Sequence, residues 1–322
     1  MKIESKLAKS VLEMEESGIL KISQKVEELR NKGMKVWRLD IGDPGFNTPK
    51  IIIDKMYEYT LEGYTHYGPP PGVKSLRVNI AKIYNCSFEN VIVTPGSKQG
   101  ILYALRSILN PGEEVIVILP AWPEYLGPVE LSGGKASFVH TRKGFMPDVD
   151  SIKRNINDKT KAIILNSPNN PTGVVYSESF LKEIADLALE HELFVISDEI
   201  YSELIYGNSY ASISKFMDFD DGLIIVNGFS KTYAMTGWRL GYVVAHEEIV
   251  KQMIKIQGHT ITSPPTFLQY AAITALNDCK PDVKKMVAEL DERRKFIMQS
   301  LSDANIEFIE PKGAFYFFID LS

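Results

Sequence analysis

The sequence has few cysteines and no long apolar run, and each absence excludes a class of protein. Cys86 and Cys279 are the two cysteines among 322 residues, and their spacing fits no metal site, redox pair or disulfide framework. The longest apolar runs, such as EVIVILPAW, are far shorter than the roughly 20 residues that cross a bilayer. Residues 1–33 are rich in Glu and Lys, lack the apolar core of a signal peptide and predict an exposed amphipathic helix. We therefore expect a soluble, cytoplasmic protein.

The chain also lacks an excess of positive charge. It has 36 Lys and Arg against 41 Asp and Glu, a net charge of −5, whereas a protein that coats nucleic acid is expected to carry a basic domain. No two histidines have metal-ligand spacing, so we assign no metal site. We find no internal repeat and no low-complexity tract. A length of 322 residues with 44% hydrophobic content predicts one large domain and a smaller one.

Seven short β-rich runs alternate with helical patterns over much of the chain. Continuous apolar strands separated by helices are typical of a mostly parallel sheet covered on both faces, so we predict an α/β fold. Ser177 is a plausible N-cap for the amphipathic run that follows it. The seven runs are NVIVTPG, EEVIVILP, KASFVHT, KAIILN, LFVISDEIY, GLIIVNGF and LGYVVA.

The pattern changes after Ala245 to three helical stretches and then to two strand-like runs, IEFIEP and GAFYFFIDL. Two strands are only marginally stable on their own, so these runs predict the start of a second, smaller α+β sheet domain that is incomplete. The domain boundaries that we predict are 44–282 for the large domain, and 1–43 with 283–322 for the small one.

Small and polar residues follow several of the predicted strands. Because ligands bind at the carboxyl ends of the strands in an open parallel sheet, we expect these residues to converge on one site. They are Gly96, Ser97 and Lys98; Pro120, Ala121 and Trp122; Asn166 through Gly173; Asp198, Glu199 and Tyr201; and Ser230 and Lys231.

This set of residues has a chemical logic. The segment TPGSKQ places small residues at a helix N-terminus, whose free N–H groups bind phosphate. Arg239 could add charge-assisted hydrogen bonds to the phosphate, and Ser230 a hydroxyl. Lys231, held near another cation at an apolar sheet edge, would have the lowered pKa that makes an amine nucleophilic toward an aldehyde. Asp198 could be a fixed anion beneath a ring nitrogen. An aldehyde, a phosphate and a protonated pyridine together indicate pyridoxal 5′-phosphate.

Six ordered blocks resemble the class I/II aminotransferases of the fold-type I pyridoxal-phosphate enzymes, and most closely the aspartate-aminotransferase-type subgroup. The resemblance extends from LDIGDPGF to PKGAFYFF, so it covers essentially the whole chain. The blocks are YTHYGPPPGVKSLR, VTPGSKQ, PAWPEY, NSPNNPTG, SDEIY and SKTYAMTGWRLG.

The resemblance implies a role for each matching residue. Lys231 would be the Schiff-base lysine and the acid/base that moves the substrate proton, and Asp198 would pair with the ring nitrogen. The other implied cofactor contacts are Tyr201 and Asn170 to the ring oxygen, Trp122 on the ring face, Ser97, Lys98 and Arg239 at the phosphate, and Tyr67 at the phosphate of a neighbouring subunit. A homodimer with shared sites is therefore implied. Gly42 would lie near the substrate carboxylate, where Trp122 and Asn170 also contact the substrate.

Several residues allow a plain structural interpretation as well. Trp122 could be a core aromatic, and Asn170 a turn residue before Pro171. Ser230 need not be the serine that meets the phosphate, and residues 263–265 form either a simple loop or one near a neighbouring site. Lys98 would read the distal carboxylate of aspartate or glutamate in the similar subgroup, or else lie merely near the phosphate. The side-chain specificity stays open between these two roles of Lys98.

Two alternatives to transamination remain from the sequence. A β-elimination lyase or a racemase-like enzyme would use the same Lys231 and Asp198. The second alternative is a protein that binds the cofactor but has little turnover. In the similar family, an arginine that binds the substrate carboxylate lies beyond the position matching Ser322, so this sequence does not include it. Regulators on this scaffold carry a DNA-binding helical module, for which residues 1–40 are too short and too acidic.

Overall fold

One seven-stranded sheet forms the centre of the computed structural model, which describes residues 3–319 except 13, 15, 17, 208 and 209. The strand order is β1-β7-β6-β5-β4-β2-β3, and β7 runs antiparallel to both of its neighbours while the other pairs are parallel. The predicted mostly parallel α/β fold is therefore confirmed. The strands are β1 (Val91–Thr94), β2 (Glu114–Leu119), β3 (Lys135–His140), β4 (Thr160–Asn166), β5 (Phe194–Asp198), β6 (Leu223–Gly228) and β7 (Gly241–Ala245).

Helices cover both faces of this sheet and account for the continuous apolar character of its strands. Side chains along a strand alternate between the faces, so Val195 and Ile196 of β5 enter two different apolar clusters. The helices are α1 (Lys9–Leu12), α2 (Gly18–Asn31), α3 (Lys50–Leu61), α4 (Lys74–Ile83), α5 (Ser97–Ile108), α6 (Leu126–Leu131), α7 (Val149–Asn155), α8 (Glu178–Glu190), α9 (Glu247–Thr260), α10 (Thr266–Asp278) and α11 (Lys280–Asp303).

Each face has its own set of covering helices. Helices α4, α8 and α10 pack on one face, whereas α5 and α9 pack on the other. The predicted cap of α8 is confirmed, because the Ser177 hydroxyl accepts a hydrogen bond from the backbone N–H of Phe180 at 3.2 Å. No helix in the described part of the chain is both long and apolar enough to span a membrane.

Two predicted elements differ in the structure. The N-terminal amphipathic helix is interrupted, since Met14 and Glu16 between α1 and α2 are not helical, and residues 1, 2, 13, 15 and 17 lie outside the described residues. The two C-terminal strands do not form in residues 306–319, and the last residues of the second run, 320 and 321, are not described.

Backbone hydrogen bonds explain the absence of the C-terminal strands. The N–H groups of Lys312 and Gly313 donate to the carbonyl of Gly173 at 2.8 and 3.0 Å, and Ala314 donates to Leu204 at 2.9 Å. The chain around residue 313 thus satisfies its backbone against loops of the sheet edge rather than in a second sheet. Within the described residues, the β-pairing of this segment is limited to one isolated antiparallel bridge between Ile205 and Gly313.

Candidate active site

The carboxyl edge of the sheet brings the predicted residues together. Asn166 and Asp198 end the paired parallel strands β4 and β5 and lie opposite each other in register. Strand β6 runs parallel to β5 and leads to Lys231. Because β7 is antiparallel, it begins at this same edge, and Arg239 precedes it by two residues.

Asp198 is a buried carboxylate, 3% exposed, whose two oxygens are held separately. The Tyr125 hydroxyl donates to its Oδ2 at 2.7 Å, and the Ile200 N–H donates to its Oδ1 at 3.2 Å. Burial raises the pKa of Asp198 to about 6, although both hydrogen bonds and the nearby positive charge of Lys231 act to lower it. The side chain of Asn166 donates to the Asp198 carbonyl at 3.0 Å, which ties the ends of β4 and β5 together.

The amine of Lys231 lies in a partly buried position beneath the N-terminal segment. Its Nζ donates to the carbonyl of Gly42 at 2.5 Å and lies about 6 Å from two ring centroids, 6.0 Å from Tyr201 and 5.9 Å from Phe315. Burial lowers the pKa of Lys231 and the positive charge of Arg239 lowers it further, against the opposing effect of Asp43 and Asp198. This is the direction that an amine nucleophile requires, and it agrees with the sequence-based prediction.

Arg239 lies against the N-terminus of helix α5. A Cβ added to Gly96, which has a φ of +83°, would come within 2.7 Å of Nη2 of Arg239, so a side chain here would displace the guanidinium. Arg239 Nη1 donates to the Thr236 carbonyl at 2.8 Å, which fixes the group from its other side. The first N–H groups of a helix are free to bind an anion, and an arginine beside them adds charge, so Ser97, Lys98 and Arg239 are residues that could hold an anion here.

Tyr201 lies in the turn three residues after β5, and its hydroxyl has two partners. It is 3% exposed, and its oxygen is 2.5 Å from the hydroxyl oxygen of Tyr316. Burial, followed by the effect of Tyr316, raises the pKa of Tyr201 well above its ordinary value, while the side chain of Asn170 acts to lower it. Asn170 is fixed by its own N–H, which donates to Asn166 Oδ1 at 2.7 Å.

Trp122 and Lys98 stand at the rim of this group of residues. The Trp122 ring packs edge-on against Tyr125, with centroids 5.3 Å apart and planes at 87°. Lys98 Nζ lies 5.6 Å over the Trp122 ring and forms an ion pair with Glu124. Since Tyr125 also binds Asp198, this rim is directly connected to the buried carboxylate.

Two predicted site residues are not linked to the others by side-chain contacts. Tyr67 is 92% exposed, and across the described residues no hydrogen bond or ring contact joins it to Lys231 or its neighbours. Ser230 is buried next to Lys231, and its carbonyl accepts from the Met235 N–H at 3.0 Å. Their roles toward a ligand therefore stay predictions.

The sequence analysis missed three side chains that shape the site. Tyr125 lies in the quoted block PAWPEY, and the signal for it was a tyrosine soon after β2 at the ligand-binding edge. No sequence pattern distinguished the neighbouring Glu124 from other acidic residues. Tyr316 was placed in a strand, and its hydroxyl instead comes so close to Gly42 that a Cβ there would overlap it. No local pattern signals such a contact between residues 42 and 316.

A second buried acid, Glu199, lies beside Asp198 and receives hydroxyl contacts. Ser212 Oγ donates to Glu199 Oε1 at 2.6 Å and Ser197 Oγ donates to it at 3.2 Å. Burial raises the pKa of Glu199 from 4.5 to about 7, against the lowering effect of these hydroxyls and of Tyr210. Glu199 thus binds its proton more tightly in the folded state than in the unfolded state.

This difference predicts that the cofactor-free protein loses stability as the pH rises from about 4.5 to 7. The unfolded chain ionises Glu199 in this window while the folded chain keeps it protonated, and a pKa difference of this size costs about 3 kcal/mol. Glu199→Gln should flatten this part of the pH profile of the free energy of unfolding, measured by urea denaturation. The exposed Glu190→Gln serves as the control, and an unchanged profile in Glu199→Gln would contradict the assignment.

No group of three or more His, Cys, Asp or Glu side chains arranged to hold a metal ion occurs in the described ranges.

Comparisons with known proteins all indicate the same family. A family model described as aminotransferase class I and II matches residues 34–322. The aspartate aminotransferase of Thermotoga maritima is 37% identical over 320 residues, which cover 97% of this chain and 84% of that protein. The (5-formylfuran-3-yl)methyl phosphate transaminase of Methanocaldococcus jannaschii is 38% identical over 323 residues, with coverages of 97% and 84%.

The similarity extends to three dimensions. A solved structure of the Thermus thermophilus aspartate aminotransferase with maleate matches this chain with a TM-score of 0.93 at 35% identity, covering 97% of this chain and 84% of that one. The chain therefore belongs to the class I and II aminotransferases, pyridoxal-phosphate enzymes that move amino groups between amino acids and 2-oxo acids.

Proposed function

We propose that this chain binds pyridoxal 5′-phosphate at the carboxyl edge of its sheet and transfers an amino group between an L-amino acid, aspartate or glutamate among them, and a 2-oxo acid. The observation that carries the proposal is the convergence at one edge of an amine with a lowered pKa, a buried carboxylate and an arginine beside a helix N-terminus. The names of the similar Thermotoga and Thermus proteins support aspartate as an amino donor.

The residues of this site fit the cofactor. A fully buried carboxylate with a pKa near 6 gains stability from a cation placed beside it, and a protonated pyridine nitrogen is such a cation. A phosphate matches the free N–H groups of α5 and the guanidinium of Arg239. Gly96, where any Cβ would meet Arg239, keeps the space between helix and guanidinium open.

Lys231 and Asp198 are the residues we propose for the chemistry. When bound, the cofactor supplies an aldehyde for the amine and a ring that withdraws electrons. Lys231 Nζ would hold that aldehyde at rest and, once released by the substrate amine, would carry the proton to and from the substrate Cα. The carboxylate of Asp198 would keep the ring nitrogen protonated, and the hydrogen bond from Tyr125 orients that carboxylate and favours its ionised form.

The remaining residues orient the ligands. Tyr201 and Asn170 would donate to the ring oxygen, Trp122 would cover the ring face, and the phosphate would be held by Ser97, Lys98, Ser230 and Arg239. Gly42, Asn170 and Trp122 line the substrate position, with the Gly42 carbonyl already bound by Lys231. Holding the reacting groups in this arrangement before substrate arrives lowers the entropic cost of the reaction.

We also propose a homodimer in which Tyr67 serves the site of the neighbouring subunit. Its 92% exposure within one chain supports a position at a subunit surface. The two-domain division at residues 44–282, with 1–43 and 283–322 as the small domain, is part of the same proposal. Two cysteines, both free, support a reducing compartment such as the cytoplasm.

Half-reactions test this function against its alternatives. The protein is loaded with pyridoxal phosphate and mixed with aspartate, glutamate, alanine or an aromatic amino acid, without an amino acceptor. We expect a changed visible absorption spectrum and one equivalent of 2-oxo acid per site. Continuous release of pyruvate and ammonia would identify a lyase. Racemisation of the amino acid would identify a racemase-like enzyme. If no amino acid changed the cofactor spectrum, the chain would be a binding protein without turnover.

Tyr125→Phe should shift the pH dependence of cofactor binding. The substitution removes one hydrogen bond from ionised Asp198, so the pKa of Asp198 rises and the carboxylate protonates at a higher pH. We expect the acid limb of cofactor affinity to move up by roughly one pH unit, the value of one hydrogen bond to a charged group. Fluorescence titration with pyridoxal phosphate at several pH values measures it.

The matched control for this experiment is Tyr103→Phe. Tyr103 is also fully buried, and its hydroxyl lies 2.7 Å from Thr260 Oγ1, away from Asp198. Its loss should leave the acid limb in place. Equal shifts in both variants would mean that Tyr125 acts through general stability and not through Asp198.

A further inference from the structure

Lys98 and Glu124 form an ion pair at the rim of the site. Lys98 is the second residue of α5, and Glu124 lies in the short turn Pro123–Tyr125 that follows Trp122. The side chain of Glu124 is only 10% exposed, whereas that of Lys98 is 47% exposed. The acid is therefore the fixed partner of this pair, and the lysine is the flexible one.

This pair adjoins the place where a substrate side chain would lie. Lys98 Nζ is 5.6 Å over the ring of Trp122, and Trp122 packs on Tyr125, which binds Asp198. A substrate that lies against Trp122, as the proposed function has it, would thus have Lys98 and Glu124 beside it. The two charges sum to zero, so the rim presents no net positive charge to an incoming side chain.

We propose that Glu124 is a specificity-determining residue, which occupies Lys98 and thereby favours amino acids without a second carboxylate. The inference rests on the proposed function and refines it: among the amino acids that the site accepts, those without a second carboxylate are preferred over aspartate and glutamate. A distal carboxylate has to take Lys98 from Glu124 and leave that nearly buried acid without its lysine, which costs free energy. An aliphatic or aromatic side chain leaves the pair intact and packs on Trp122.

Glu124→Gln tests the proposal directly, because it removes the negative charge and keeps the shape. With the protein loaded with pyridoxal phosphate, calorimetry measures the dissociation constants of maleate, a dicarboxylate, and of hydrocinnamate, an aromatic monocarboxylate. We expect maleate to bind about five times more tightly than to the unchanged protein, the upper end of the range for one partly exposed charge pair. Hydrocinnamate binding should stay within a factor of two or so.

A second variant and a control keep the test decisive. Lys98→Gln should weaken maleate binding, because it removes the positive charge of the pair and keeps the negative charge of Glu124. Glu190→Gln breaks an exposed pair with Lys153 at the end of α8 and should change neither constant. Thermal melting shows whether each variant is folded.

The possible outcomes separate this inference from the proposed function. An unchanged ratio of the two constants in loaded, folded Glu124→Gln overturns the role of Glu124, as does an equal change in both. If the unchanged protein acquires no cofactor absorption band, the proposed function fails and the inference fails with it. A ratio that shifts toward maleate in Glu124→Gln and away from it in Lys98→Gln supports the proposal.

Discussion

Lys231→Ala is expected to lower the rate of transamination on the order of 10⁴-fold, the upper range for losing a positioned acid–base group. The substitution removes the amine that donates to the Gly42 carbonyl and lies about 6 Å from the ring centroids of Tyr201 and Phe315. Stopped-flow absorbance of the half-reaction with aspartate measures the rate. The absorption spectrum of bound cofactor should change as well, because the aldehyde no longer has its lysine.

The control for this variant is an exposed lysine far from the site. Lys215 is 53% exposed and pairs with Glu178 at 2.6 Å on the protein surface. Lys215→Ala should keep both the rate and the spectrum. An unchanged cofactor spectrum in Lys231→Ala would exclude Lys231 as the attachment site, and the proposed chemistry would fail with it.

Asp198→Asn should have the second largest effect, a decrease in kcat of about 10²- to 10³-fold, the range for removing a group that stabilises developing charge. The amide is similar in shape to the carboxylate and can still accept the hydrogen bond from Tyr125. It cannot keep a pyridine nitrogen protonated, because it carries no charge. Steady-state kinetics with aspartate and a 2-oxo acid would measure the decrease.

The same substitution should stabilise the cofactor-free protein. Burial raises the pKa of Asp198 from 3.8 to about 6, so the folded state resists ionisation and loses stability as the pH rises through this range. Asparagine removes this cost, and a pKa difference of this size is worth about 3 kcal/mol at neutral pH. Urea denaturation at pH 7 checks it, with the exposed Asp186→Asn as control. A variant that is both inactive and less stable would indicate a structural role for Asp198.

The sheet and the residues at its edge could be predicted from the sequence because both depend on local patterns. Buried parallel strands have continuous apolar runs, and Asp198 and Lys231 follow such runs directly. The lowered pKa of Lys231 also followed from burial and a second cation. These features need no knowledge of how distant segments of the chain pack.

The features that the sequence analysis missed all depend on contacts between distant segments. The run that contains Tyr316 has the apolar and aromatic character of a strand, yet its backbone bonds to Gly173 and Leu204. Lys98 and Glu124 are 26 positions apart, so nothing in either local pattern indicates that they pair. Side-chain pairing of this kind depends on the tertiary structure, which local periodicity does not encode.

The cover over Lys231 has a consequence for the order of events during synthesis. Gly42 holds the lysine amine, and the hydroxyl of Tyr316 lies against Gly42, so two segments that are far apart in the chain meet above a lysine that lies between them in sequence. During translation all strands of the sheet exist once β7 has been made, whereas this cover forms only after residue 316 has left the ribosome. Until then the cover lacks its Tyr316 side, so the surroundings of Lys231 are completed later than the sheet.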